Sequence, residues 1–462
     1  MSKNIRIVLF FFFTVFCCHT FSYGQSDTIR VMAYNVLDYG SYPLCQGPNG
    51  IYNNYLKTIV QYANPDIIGL EKMGSLQTSP TDHNYSAAIG FQDSILQDVV
   101  NAAYPGRYNY CPFTNYAASS TECLVLYNQQ KLGFIATTCT YTNTEDFNTY
   151  KFYYKDSNLA TVHDTTYLYV TDNHDISGSD EASERGAQIA GEMAQIQTHF
   201  THLANMINMG DFNLRNTLEP VYQTFTAPSD TNFRYYDPPF YPDGDFSYPA
   251  DWDSDPNTYS NFLTTSTRLL DNMPNTCGTS GGAKDWFDHI FLSPWIINNA
   301  NYIAYIPHSF RVLGNDGNRV GISVNDSPVN TSAPSAVIDA LFQMSNKYPI
   351  MLDLLVTPNT TGISPVDPEI TPAGVATTIL PDDHANIINP VDESLKIYFS
   401  NGLLGKTVMV SCTDMIGRTR MMQTIVVNNA MIELPFNCEA GIYYVRIVNN
   451  GNIVCQTMIT KK

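Results

Sequence analysis

The residues best suited to chemistry are Asp211 and Asn213, in the stretch Asn205-Met206-Ile207-Asn208-Met209-Gly210-Asp211-Phe212-Asn213. An apolar run, readable as a buried strand, stops at a glycine and delivers an aspartate and an asparagine two positions apart. Residues two apart on a strand face the same way. Both side chains are therefore expected to leave the strand's C-terminal end together, with Phe212 turned into the core. A carboxylate beside an amide suits activation of a water or binding of a metal, with a second group to hydrogen-bond phosphate. Gly-Asp and Asp-x-Asn are also ordinary turn chemistry, so the stretch alone does not decide.

The elements that would position this pair can be read along the chain. Residues 28–34 alternate like a strand and end at Asn35. A helix over 52–63 stops at Asn64-Pro65, and a buried strand over 66–70 runs into Glu71-Lys72. Further strands at 121–127 and 167–171 follow, the second ending at Asn173-His174. Helices are expected at 87–102 and 181–200. The second of these turns Ala182, Ile189, Met193 and Ile196 inward and Glu181, Glu184 and Glu192 outward. Strand character returns at 286–292 and 348–356. Interleaved strands and helices with polar residues at strand ends indicate an α/β sandwich, with function where those ends converge. Residues 214–284 read as a long insertion, 357–385 as a Pro/Thr/Gly linker, and 386–462 as a small all-β sandwich.

Composition bounds the rest. At 462 residues more than one domain is expected. Residues 1–24 have a basic start, an apolar core and a small-residue exit, which reads as a secretory signal peptide; no other segment is apolar enough to span a membrane. The formal charge is −19, or −21 once Lys3 and Arg6 leave with the leader. Such a surface repels nucleic acid at long range and argues against a general nucleic-acid-coating role. Eight cysteines remain in the mature chain, an even count that favours disulfides over metal in an exported protein.

The ordered polar strand ends, Asn35, Glu71-Lys72, His174, Asp211 with Asn213, Asp288 and the run Ser345–Pro349, resemble those of the endonuclease/exonuclease/phosphatase superfamily. Its fold is the deoxyribonuclease I-like four-layer α/β/β/α sandwich, here covering 25–356 and followed by the small all-β sandwich. The resemblance implies that Asn35 lies near the metal and phosphate and that His174 contacts phosphate. Asp211 would activate the attacking water, Asn213 would orient the phosphate, and Asp288 would stand on the metal side. Asn35 and Asp211 are the implied metal contacts, with magnesium or manganese as cofactor if the site is active and none if it is not.

Two departures weigh against activity. Relatives end the second strand in Leu-Gln-Glu, whose glutamate is the main metal ligand; here Glu71 falls on the glutamine and Lys72 on the ligand. One residue of slip turns a strand side chain to the opposite face, so Glu71 cannot substitute without a bulge. Lys72 is instead expected to occupy the cation's place. Relatives also carry Ser-Asp-His-x-Pro, where this chain has Ser345-Asn346-Lys347-Tyr348-Pro349. An amide replaces the carboxylate and a lysine replaces the imidazole, a poor proton shuttle near neutral pH unless burial lowers its pKa.

The C-terminal region, roughly 386–462, resembles the sorting domain of the type IX secretion system of the Bacteroidota. It carries Gly405-Lys406, Gly417-Arg418, Gly441-Ile442-Tyr443-Tyr444-Val445-Arg446 and a terminal Lys461-Lys462. That resemblance implies export across the outer membrane, to the medium or the cell surface, with the secretion machinery as partner. Elsewhere, the alternating acids of 251–257 have proline where a calcium loop needs glycine and read as a solvated loop. The aromatic segment 235–248 reads as packing of the insertion. Three functions follow: a degenerate phosphodiesterase-fold protein that binds a phosphorylated ligand, an active metal-dependent hydrolase of nucleic acid or another phosphoester, or a surface protein binding through 214–284.

Overall fold

The computed structural model describes residues 26–461 except 41–48, 77–89, 158, 160–164, 242–243, 245, 272–277, 360–362, 371–384, 388–390, 392, 415–417, 430 and 450–451. The leader reading, Cys45, Cys277 and most of the expected linker lie outside the described residues. The larger region contains strands β1 (Asp27–Tyr39), β2 (Ile67–Gly74), β3 (Tyr108–Tyr110), β4 (Thr121–Asn128), β5 (Leu132–Thr142) and β6 (Asp146–Tyr154). It continues with β7 (Tyr167–His174), β8 (Met206–Asp211), β9 (Asp288–Leu292), β10 (Ile303–Tyr305), β11 (Arg311–Val312) and β12 (Ile350–Val356). Its main helices are α1 (Asn49–Ala63), α2 (Ala182–His199) and α3 (Ser335–Met344).

These strands form two sheets. One runs β10-β12-β1-β2-β4-β3, with β11 also on β12; the other runs β5-β6-β7-β8-β9. β1 and β2 are parallel, and such a pair needs a crossover, which α1 supplies. β1, β4 and β8 are buried almost throughout, as strands covered on both faces must be. The sheets pack face to face, β1 against β8 and β2 against β7. α1 and α3 pack together on the first sheet and α2 covers the second. The result is the four-layer α/β/β/α sandwich. Gly69 marks a close approach of the sheets, since a Cβ there would meet Asp172 Oδ1 at 2.4 Å and Met209 Cε at 2.7 Å.

Register decides where chemistry collects. On the second sheet His174 pairs with Asp211, and Asp211 with Asp288, so three neighbouring strands bring three titratable groups to one level. On the first sheet Asn35 lies opposite Glu71, and Ile350 lies opposite Ala33, so 345–349 enters beside Asn35. Parallel strands end at this edge and antiparallel partners begin there. All six polar strand ends therefore meet on one side of the sandwich.

Several local features differ from expectation. The expected helix over 87–102 is a short helical stretch over 92–103 with a π-helical middle at Ile95–Val100. The β5–β6 hairpin has no counterpart among the expected strands. Glu192 does not point outward: its carboxylate accepts from Asn173 Nδ2 at 2.8 Å and Asn208 Nδ2 at 2.6 Å, between α2 and the second sheet. Part of the expected linker is docked, since Asp367 and Glu369 each lie 2.6 Å from Lys151 Nζ and Tyr169 donates to Asp367 Oδ1 at 2.5 Å. The expected disulfides are not found among the described cysteines. Cys111, Cys123, Cys139, Cys412, Cys438 and Cys455 are free, and five of them are buried within strands or the packed core, where they serve as small apolar side chains.

The C-terminal region folds as two sheets. One contains β13 (Ala385–Ile387), β14 (Ser394–Phe399) and β17 (Met431–Pro435); the other contains β15 (Thr407–Asp414), β16 (Thr419–Val426), β18 (Gly441–Asn449) and β19 (Asn452–Lys461). Alternate residues of β14 and β15, Leu395, Ile397, Val408 and Val410, enter a core of their own with Val445 and Ile447. This is the expected all-β architecture.

Candidate functional site

β8 ends as the sequence suggests, with a twist at its last residues. Gly210 has φ +133°, and a Cβ there would meet the Asn173 carbonyl oxygen at 2.0 Å. Asn213 has φ +50°, so it leaves strand geometry instead of continuing the alternation. Asp211 and Asn213 still reach the same cleft, while Phe212 is fully buried. The Asp211 carboxylate accepts from the Asn213 backbone N–H at 3.1 Å, and Asn213 Nδ2 donates to the Asp175 carbonyl at 2.8 Å.

The cleft, about 300 Å³, is lined by Asn35, Lys72, His174, Asp211, Asn213, Asn346 and Lys347, among others. Seven of the eight residues singled out from sequence thus share one surface. The eighth, Asp288, is buried behind Lys347 next to Asp211. On the cleft floor Lys347 Nζ stands 2.7 Å from Asp211 Oδ2, and Asn35 Nδ2 donates to the same oxygen at 2.9 Å. Lys347 also lies 4.6 Å from the centre of the Phe287 ring, a cation–π contact.

These contacts set the charges. Burial alone would push the Asp211 carboxyl up, but Lys347, His174 and Asn35 together hold it below its usual value. Burial would lower the Lys347 ammonium, yet Asp211 and Asp288 outweigh it and raise the pKa. Asp288 moves the other way: burial and the neighbouring Asp211 carboxylate push it well above the usual carboxylate range. Lys347 is therefore a permanent ammonium and Asp211 its permanent counter-ion. A proton shuttle needs the opposite arrangement.

Lys72 does not hold the place expected of it. It sits in a left-handed conformation, φ +56°, at a bulge where the β2–β4 pairing slips between Leu70 and Met73. Its ammonium reaches Asp38 Oδ1 at 3.5 Å. The cation on the Asp211 carboxylate comes from Lys347 instead, because 345–349 enters directly beside Asn35. The bulge does not free Glu71 for metal either. Glu71 is fully buried, facing Asp172, and neither of its carboxylate oxygens has a donor. Burial and Asp172 push Glu71 well above its usual value, and burial pushes Asp172 up to about 8. Burial therefore favours the neutral form of both carboxyls.

One residue beside the cleft carries no signal in the sequence. Glu145, in the turn before β6, accepts or shares a hydrogen bond with His174 Nδ1 at 3.0 Å and accepts from Thr121 Oγ1 at 2.6 Å. It orients the imidazole that faces the cleft. Asn346 donates to Thr279 Oγ1 at 2.6 Å, while its own Oδ1, buried, has no partner. Among the described residues no three His, Cys, Asp or Glu side chains converge to hold a metal ion. With an ammonium on Asp211, Glu71 paired to Asp172, and lysine at the expected ligand position, the residues present do not fit a divalent cation.

No protein-family model matches the chain, and no curated protein matches it. Solved structures do. The human Nocturnin catalytic domain with bound sulfate is similar at TM-score 0.36 and 14% identity, covering 71% of this chain and 97% of that one. An endonuclease/exonuclease/phosphatase from Beutenbergia cavernae gives 0.35 and 12%, covering 94% and 99%. ANGEL2, a 2′,3′-cyclic phosphatase, gives 0.40 and 12%, covering 72% and 96%. These neighbours are endonuclease/exonuclease/phosphatase-fold proteins. The layers and converging strand ends carry the fold reading, and the likeness adds no residue role.

The remaining sequence signals are structural. Two acids of 251–257 are satisfied locally, Asp251 accepting from Ser254 and Asp255 from Thr258, while Asp253 lies 3.1 Å from Arg215 Nη1. The insertion packs many of its aromatics inward, with Trp252 fully buried 5.1 Å from Trp286, while Tyr241 and Tyr248 stay exposed. His289 lies stacked on Trp286 with its Nδ1 3.0 Å from Asp237 Oδ2. No helix among the described residues is long and apolar enough to cross a membrane.

Proposed function

We propose that this chain is an exported member of the endonuclease/exonuclease/phosphatase superfamily that has lost hydrolysis and binds a phosphorylated ligand in the retained cleft. The observation that carries this reading is the Lys347–Asp211 contact at 2.7 Å. It neutralises the carboxylate that would activate water, and it stands where relatives by resemblance supply an imidazole. The leader at 1–24 and the C-terminal region from 386 support passage through the type IX machinery to the medium or the cell surface. Donors along the cleft, Lys72, His174 and Asn213, suit phosphate oxygens.

The test is an assay of the mature chain, 25–462, with magnesium or manganese on DNA, RNA and bis(p-nitrophenyl) phosphate. No turnover above buffer is expected. Turnover abolished by Asp211→Ala would sink the reading and favour the active hydrolase. The His174–Glu145 pair beside the cleft is the feature that favours that second reading.

A further inference from the structure

The cleft does not end at Asn213. A second chamber of about 340 Å³ adjoins it, sharing Ser177, Asn213 and Thr279. Its other walls come largely from the insertion and the segment after it: Arg215, Asp253, Lys284, Asp285 and Phe287. The chemistry differs from that of the first chamber. There, donors surround a neutralised floor. Here, acceptors and donors alternate at short range. Arg215 Nη1 lies 3.1 Å from Asp253 Oδ1 and 3.9 Å from Asp285 Oδ1, and Lys284 Nζ lies 4.0 Å from Asp285 Oδ2. Arg215 Nε is buried and has no partner, and the guanidinium lies 5.2 Å from the centre of the Phe287 ring.

A hydroxyl group both donates and accepts, so a carboxylate beside a guanidinium satisfies it fully. Vicinal hydroxyls on a ring match two such pairs set side by side. The combined size of the chambers suits a small ligand of a few hundred Å³. A long polyanion is disfavoured, because the chain carries −19 and each further phosphate outside the cleft meets repulsion.

We infer that the second chamber recognises the hydroxyl-bearing body of a phosphorylated sugar whose phosphate lies in the first chamber beside Lys72, His174 and Asn213. The inference rests on the binding function proposed above and assigns its ligand class. Arg215 and Asp253 choose the body; Lys72 and His174 hold the anion.

Titration calorimetry on the mature chain tests it, with glucose 6-phosphate, glucose, inorganic phosphate and a single-stranded oligonucleotide as probes. Glucose 6-phosphate is expected to bind at least tenfold more tightly than inorganic phosphate, and glucose more weakly than either. Asp253→Asn, a change at a half-exposed residue, should erase the preference over inorganic phosphate while leaving phosphate affinity within twofold. Lys72→Met should weaken both phosphates and leave glucose unchanged. Equal affinity for the two phosphates, an undiminished preference in Asp253→Asn, no binding of glucose 6-phosphate, or tighter binding of the oligonucleotide each overturns the inference. Hydrolysis of glucose 6-phosphate would overturn the loss of activity alone. The second chamber would then show as a KM increase in Asp253→Asn at unchanged kcat.

Discussion

Lys347 Nζ and Asp211 Oδ2 stand 2.7 Å apart with both side chains almost wholly out of solvent. Breaking a buried pair by deleting one partner leaves an uncompensated charge and costs about 3–5 kcal/mol. Asp211→Asn should therefore lower stability to urea by that order, and adding Lys347→Met should recover most of the loss. The pair adds little pH dependence near neutrality. Asp211 is depressed, so its share of stability holds above the ordinary aspartate value of ~3.9 and fades as pH falls through the lowered one. Lys347 is raised, so its share holds below ~10.4 and fades only above that. A difference in urea midpoint between the parent and the Asp211→Asn, Lys347→Met double variant that stays flat from pH 5 to 9 would check the sign.

Glu71 and Asp172 act in the opposite sense. Both are raised, so the unfolded chain ionises them near pH ~4 while the folded chain pushes Asp172 up to about 8 and holds Glu71 well above its usual range. Stability therefore falls as pH rises across that window, by about 1.4 kcal/mol for each unit of displacement. Glu71→Gln supplies an amide donor to Asp172 without needing the proton. The variant should match the parent at pH 4.5 and melt higher at pH 8, with the difference growing between. Calorimetric melting at four pH values reads this directly. A constant difference would show that burial does not hold the two carboxyls neutral.

Gly210 fixes the corner itself. Its φ is +133°, and the Asn173 carbonyl oxygen lies 2.0 Å from where a Cβ would stand, so alanine is strained in conformation and in space. Gly210→Ala should lose several kcal/mol, above the ~1 kcal/mol of an ordinary substitution. Hydrogen exchange should localise the loosening to β7 and β8. Gly50→Ala, which meets nothing within 4 Å, is the control.

The strand ends were legible because each apolar run stops at a polar residue, and that much depends on the local chain. What the polar residues touch was not. Whether Lys72 or Lys347 meets Asp211 depends on a bulge in β2 and on where a segment 136 residues later enters the sheet. Glu192 looked outward because the amides it binds, Asn173 and Asn208, belong to another layer. β5 is half exposed and rich in Thr, and β6, although buried, mixes Phe and Tyr with Asp, Asn, Thr and Lys, so the hairpin does not read as the uniformly apolar run that marks a buried strand. Glu145 is hidden with it, since only the fold brings that turn to His174.

The docked segment before the C-terminal region clamps the second sheet through Lys151, which is held by Asp367 and Glu369 and lies 4.4 Å from the centre of the Tyr167 ring. Lys151→Met removes both ion pairs while keeping the apolar stem. Limited proteolysis of the variant should cut within 363–370 at least several times faster than in the parent, with the rest of the domain equally resistant. Equal cutting rates would show that Tyr169, Asn301 and the backbone contacts to Thr201 and His199 hold the segment without Lys151.

The last prediction concerns metal. Lys72→Glu alone adds a carboxylate near Asp38 but leaves the Lys347 ammonium on Asp211, so manganese should not raise the melting temperature. Lys347→His alone uncovers Asp211 but supplies no ligand where Lys72 stands. Only the combination, with Asn346→Asp adding a further carboxylate, removes both obstructing cations and adds acid at the cleft. That triple variant should show a manganese-dependent rise in melting temperature that saturates with concentration and is reversed by chelation. Binding with 1,000-fold excess over Kd corresponds to about 4 kcal/mol of stabilisation, enough to read by thermal shift. If Lys72→Glu alone responds as strongly, then the ammonium on Asp211 is not what excludes the ion, and the Lys347–Asp211 pair loses its place as the cause of degeneracy.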